Sequence, residues 1–175
     1  MGGGGRPGAR QPGGAAVNAR IQAMVDSREL EPLPAEDREV AARWRKAAQT
    51  YADSRKDLSP DSVLTLRYQA GLQAATAILR AAGYRVRASA TGHHRLTFEA
   101  LRALGIGDLS PLAREMNDLR RRRHHAVYEW DDEESASGMD PERLDEVVSR
   151  ILQLGHDWLR DQRPSIAREL DRPPG

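Results

Sequence analysis

Five stretches of this chain repeat their apolar residues every three or four positions, and glycine, proline or acidic residues separate them. That period is the one an α-helix turns toward a core, so the chain is constrained to an all-α fold. The first firm helix is predicted over 35–56, with Val40, Trp44, Ala47, Ala48 and Tyr51 on its buried face. The second follows Leu58: Ser59 suits the N-cap and Pro60 the first helical position. Val63, Leu66, Leu72, Ala75, Ile78 and Leu79 supply its stripe, and Gly83 ends it. Gly71, inside that helix, predicts a close approach of another element, because a mid-helix glycine costs about 1 kcal/mol relative to alanine. Residues 84–92 read as a loop, and a short third helix follows over 94–104.

The Gly105-Ile106-Gly107 break leads to a fourth helix, with Ser110 as N-cap and Pro111 at its first position, extending to Trp130. Asp131 to Gly138 reads as a solvated loop. Asp140-Pro141-Glu142 opens the fifth helix, which runs to Arg163 with Leu144, Val147, Val148, Ile151, Leu154, Trp158 and Leu159 inward; Pro164 stops it. A weaker short helix is predicted over 17–25. No segment reads convincingly as a strand, and no internal repeat is found. The expectation is an antiparallel bundle of about five helices. It forms one domain over 17–163, between a disordered glycine-rich tail over 1–16 and a frayed C-terminal tail over 164–175.

A chain of 175 residues suffices for one such domain with a proper core. Charged residues make up 30% and balance to +1, so no global field draws the chain to nucleic acid or to a membrane; a nucleic-acid site must be a local patch. The absence of cysteine excludes a disulfide framework and cysteine-ligated zinc, and fits a reducing cytoplasm. Lys46 and Lys56 are the only lysines among 27 basic residues, a composition that reads most simply as coding bias. No apolar run reaches the roughly 20 residues of a membrane span. Residues 1–14 lack the apolar core of a signal peptide, and Arg6 stands where a myristoylation signal has serine or threonine.

Within the fourth helix lies the run Leu119-Arg120-Arg121-Arg122-Arg123-His124-His125-Ala126-Val127-Tyr128. At about 100° per residue, Leu112, Met116, Leu119, Ala126, Val127 and Trp130 share one face. Arg123 falls near the centre of that face and Arg120 near its edge. Arg120, His124 and Tyr128 follow one another at i, i+4 and i+8 along the edge, and Asn117 and Asp131 approach the same ridge. Arg121, Arg122 and His125 point away from the apolar stripe. Two guanidiniums can clamp phosphate oxygens, a histidine near neutrality can move a proton, and a tyrosine can orient a hydroxyl or stack on a base. The plainer readings are a solvated arginine face, an Arg123 that pairs with a buried carboxylate or snorkels past its neighbours, and a core-edge Tyr128.

These residues, with the helices around them, resemble the HEPN superfamily of small helical-bundle proteins, in particular the SAV-type actinobacterial members. The resemblance covers most of 36–163. It rests on the Trp44 and Tyr51 helix, on the Tyr68 to Gly83 helix with its Ile78-Leu79-Arg80-Ala81-Ala82-Gly83 end, on Gly92-His93-His94 opening the short helix, and on Leu119 to Tyr128. It implies a homodimer in which two basic motifs face one cleft, and RNA as the ligand. Many members are metal-independent endoribonucleases with an arginine, four to six residues, then a histidine; others are non-catalytic. Arg120 and His125 meet the spacing, although ideal geometry sets them roughly 140° apart. The alternative alignment puts Arg123 at the motif arginine, His124 at the polar position after it, and Tyr128 where a histidine would stand.

The expected catalytic set is therefore Arg120, Arg123, His124, His125 and Tyr128. Asn117, Arg121, His93 and His94 are expected to hold substrate. No cofactor is expected and no metal, because the two adjacent histidine pairs lack the spacing that converges ligands on one helix face. Two functions are carried forward: a cytoplasmic RNA-binding protein that cleaves RNA as a toxin, defence effector or processing enzyme, with an antitoxin or other protein as a further partner, and a non-catalytic dimerising module that binds an acidic partner or a nucleotide.

Overall fold

The structure, a computed structural model, describes residues 14–128 and 140–170, with side chains over 19–121 and 140–170. Its helices are α1 (Gly14–Asp26), α2 (Asp37–Asp53), α3 (Pro60–Ala81), α4 (His93–Ala103), α5 (Leu109–Tyr128), α6 (Pro141–Gln162) and α7 (Ala167–Leu170). The only strands among the described residues are β1 (Leu30–Pro32) and β2 (Tyr84–Val86). The all-α bundle expected from the periodicity is the architecture found.

Local signals set the ends of α3 and α6. The Ser59 side chain accepts from the Ser62 amide, and the Asp140 carboxylate accepts from the amides of Glu142 and Arg143. Each cap is followed by proline at the first helical position, where its missing N–H costs nothing. α3 is the central helix, packed against α2, α4 and α6. The buried positions in its middle are accordingly small: Ala70, Gly71, Ala74, Ala75 and Ala77. A Cβ at Gly71 would stand 2.9 Å from Met116 Cε of α5 and 3.2 Å from Val148 Cγ2 of α6. The expected stripe of α3 needs correction at its start. Leu64 and Tyr68 are buried there, whereas Val63 and Leu66 are only half-covered, because a helix with three neighbours has no single inward face.

Gly155 on α6 lies under a harder neighbour. A Cβ there would be 2.9 Å from both Ile78 Cδ1 and Trp44 Cη2. The tryptophan ring is rigid, so Gly155→Ala is expected to cost about 1–3 kcal/mol in overpacking, more than the helix propensity it gains. A thermal melt of the variant that matched or exceeded the wild type would contradict this packing.

Three further expectations are corrected. The loop over 84–92 contains β2, which pairs antiparallel with β1 in the register Leu30↔Val86, Glu31↔Arg85 and Pro32↔Tyr84. Strands of three residues are too short to show alternation, so tertiary pairing alone reveals them. α5 begins at Leu109, and Ser110 does not cap it; its hydroxyl donates to the Arg102 carbonyl 3.2 Å away. The C-terminal segment expected to fray from 164 stays ordered to 170. A 3-10 turn over Pro164–Ile166 and then α7 bury Ile166 and Leu170 against α2 and α6, and Arg45 donates to Glu169 at 2.5 Å.

Two arginines fasten this end of the bundle. Buried Arg80 holds both carboxylate oxygens of Glu39, at 2.9 and 3.2 Å, and donates to the Leu33 carbonyl. Arg163 donates to Asp37 at 2.7 Å and to the carbonyls of Ala35 and Ala81. Such forked pairing is what lets a fixed cation be buried. β1, β2 and α1 build a smaller core on the outer side of α4, around Ile21, Leu30, Leu79, Ala100 and Ala103.

Candidate nucleic-acid interface

The turn over 104–108 folds α5 back antiparallel on α4. Two hydrogen bonds fix the register: Asn117 Nδ2 donates to the Arg95 carbonyl at 3.3 Å, and Ser110 donates to the Arg102 carbonyl seven residues further along α4. α4 carries Arg95, Glu99 and Arg102 at spacings of four and three; α5 carries Arg114, Asn117, Asp118 and Arg121 at spacings of three, one and three. In this register the two polar stripes meet. They enclose a pocket of about 430 Å3 that Arg120 completes.

Five arginines and two carboxylates line this pocket. Arg95 pairs with Glu99 at 2.6 Å, and exposed Arg121 pairs with Asp118 one turn back. Arg102, Arg114 and Arg120 meet no carboxylate among the described residues. Arg120 is half-buried, and its Nε is enclosed with no hydrogen-bond partner among the described residues. Asn117 Oδ1 is likewise enclosed and accepts from no described residue, and the amide cannot be turned around, because its nitrogen serves the Arg95 carbonyl. Holding an unpaired donor of a cation out of water is costly, and an anion against the outer guanidinium nitrogens offsets that cost.

The N-terminal turn of α4 lies beside Arg120. There His94 packs on Tyr68, ring centroids 5.8 Å apart, and Tyr68 meets Phe98 edge-on at 6.1 Å. His93 is exposed, with Nε2 3.2 Å from the Ala88 carbonyl oxygen. Both histidines line a second pocket, of about 200 Å3, between α3, β2 and α4 rather than the arginine pocket itself. Burial pushes the His94 imidazole below its ordinary value, and the charges of Arg120 and then His93 push it further the same way.

This shift carries a sign that can be measured. The folded chain holds His94 below the reference value of 6.5, so its contribution to stability is complete above that pH and is lost as pH falls from there through the lower folded midpoint. NMR titration is expected to place the His94 midpoint below 6.5. Arg120→Ala is expected to move it only part of the way back, since burial, the larger cause, remains. A wild-type midpoint at or above the reference value would contradict the proximity of His94 to Arg120.

The structure thus brings together Asn117, Arg120 and Arg121, and sets His93 and His94 beside them. α5 is helical through Tyr128, but the side chains of Arg123, His124, His125 and Tyr128 lie outside the described residues, as do Trp130 and Asp131 altogether. Sequence reasoning missed Arg95, Arg102 and Arg114. Their signal was available: two polar stripes at helical spacing, on consecutive helices joined by a glycine turn, must face one another if the helices pack antiparallel. Among the described residues no group of three or more histidine and acidic side chains is placed to hold a metal ion, and no helix is long and apolar enough to cross a membrane. No family model matches the chain, nor does any curated protein or solved structure.

Proposed function

We propose that this chain is a HEPN-like RNA-binding protein that grips the phosphate backbone in the α4–α5 pocket and cleaves RNA there without requiring a metal. The observation that carries the reading is the set of three guanidiniums, on Arg102, Arg114 and Arg120, that line one concave site and pair with no carboxylate among the described residues, one of them with an enclosed Nε that no described residue satisfies. Guanidinium forks match phosphate oxygens, and a single-stranded backbone supplies several in series.

Arg120 would stabilise the phosphorane. A neutral imidazole would take the 2′-hydroxyl proton, and His94, beside Arg120 but opening onto the neighbouring pocket, is one candidate; the 2′-oxygen then bonds to phosphorus, the bond to the 5′-oxygen breaks, and a protonated group supplies that oxygen's proton. His124 and His125, from the resemblance, are the candidates for that second role, and Tyr128 for orienting the substrate. The same reading includes a homodimer that sets two grooves in one cleft, which light scattering would detect.

The test is incubation of the purified chain with single-stranded and structured RNA in EDTA, beside an Arg114→Ala/Arg120→Ala variant. Cleavage by the wild type alone supports the reading. Binding without cleavage assigns the chain to the non-catalytic class, with the groove as its ligand site. RNA affinity equal in both proteins sinks the reading altogether.

A further inference from the structure

The arginine pocket does not end at α5. Glu99 and Arg102 also line a shallower pocket of about 260 Å3 on the outer side of α4, where α1 crosses it. Its other walls are Arg20, Ala23 and Met24 of α1 and Ala103 of α4. The lining changes character across that shared edge. The α4–α5 side is dominated by arginine, whereas this side has a mostly apolar floor, with the Arg20 guanidinium on the α1 rim and Glu99 and Arg102 on the shared wall.

A ring suits the second pocket better than a phosphate, because Ala23, Met24 and Ala103 offer an anion no side-chain donor. Its size lies just below that of pockets that hold drug-sized molecules, roughly 300–1,000 Å3, and so suits one planar ring system. Arg20 has no ion-pair partner among the described residues and can stack on such a ring. Glu99 is held in place through Oε2, which accepts from Arg95 at 2.6 Å, while its Oε1 accepts from no described residue. A tethered carboxylate beside an apolar floor, next to a phosphate site, is an arrangement for reading the edge of a base.

We propose that the α1–α4 pocket is a nucleobase subsite selective for guanine, with Glu99 as the reading residue. The inference deepens the RNA reading given above and rests on it. A carboxylate offers only acceptors. Guanine presents two adjacent donors on its Watson–Crick edge, the N1–H and the N2 amino group. Adenine, cytosine and uracil each set an acceptor beside their donor, which a carboxylate repels. The nucleotide would lie with its base against Ala23, Met24 and Ala103 and its phosphate on the arginines beyond Arg102.

The experiment uses free nucleosides, which carry no phosphate, with the full chain followed by amide shift perturbation in NMR. Guanosine is expected to perturb amides of α1 and of α4 around 99–103, to bind more tightly than inosine, and to exceed adenosine and cytidine by at least about tenfold, the scale of one bidentate base contact. Glu99→Gln is expected to erase that preference. Ala23→Phe, at an exposed position on α1, is expected to fill the pocket and abolish guanosine binding without disturbing the fold. Equal binding of all nucleosides, perturbations centred elsewhere, or a preference that survives Glu99→Gln would overturn the subsite, whatever the chain does with RNA. Loss of RNA binding with the guanosine result intact would instead count against the RNA reading alone.

Discussion

Phe98→Ala is expected to destabilise the chain by about 3–5 kcal/mol, the usual cost of removing a fully enclosed aromatic ring. Phe98 has no solvent exposure and belongs to the main core with Leu101, Met116 and Ala74. The surrounding helices cannot close the gap: α3 already approaches α5 and α6 at Gly71, where even a single Cβ would be too close to Met116. In a chain of this size each kcal/mol lowers Tm by roughly 2–4 °C, so the melt should fall by about 6–20 °C. The effect reaches the site as well. Phe98 supports the Tyr68 ring, which in turn lies against His94, so the His94 titration midpoint should move toward its ordinary value in the same variant. A loss below about 1 kcal/mol would contradict the docking of α4 onto α3.

The second large effect concerns binding. Arg114→Ala/Arg120→Ala removes two guanidiniums that have no carboxylate partner among the described residues. Each charge-assisted hydrogen bond to phosphate contributes about 1.5–3 kcal/mol, so RNA affinity should fall by roughly 100-fold or more for the pair. The dependence of affinity on salt should weaken too, by about 0.7 in logarithmic slope for each phosphate contact to a single strand. Lys56→Ala is the control. Lys56 is exposed, pairs with Asp53, and lines neither pocket that carries the site, so its loss should change affinity little. An equal drop in the two variants would reduce the effect to net charge and remove the case for the pocket.

The helices were legible because their signals are local. Ser59 and Asp140 cap helices through amides two or three residues away, Gly83 follows the end of α3, and the apolar positions of α2 and α6 recur within one or two turns. The candidate site was half legible for the same reason. The arginine run drew the eye to α5, and Asn117, Arg120 and Arg121 do share a pocket there. The run itself misled about its partners. A stripe on one helix says nothing of which helix faces it, so Arg95 and Arg102 went unnoticed although their spacing on α4 matches that of the residues opposite.

The sequence by itself determined that these segments are helical, where α3 and α6 start, and which faces of α2 and α6 are apolar, because each of those choices is made by contacts within about four residues. Tertiary structure alone decided the rest. The β1–β2 ladder joins segments more than fifty residues apart. The Arg80 pair with Glu39 joins α3 to α2, and the burial of Leu170 turns an expected loose end into core. The antiparallel register of α4 on α5 gathers five arginines around one pocket. Each of these depends on how far and at what angle helices approach, and that is set by the summed volumes of side chains such as Trp44, Gly71, Phe98 and Gly155, which no local window of the chain contains.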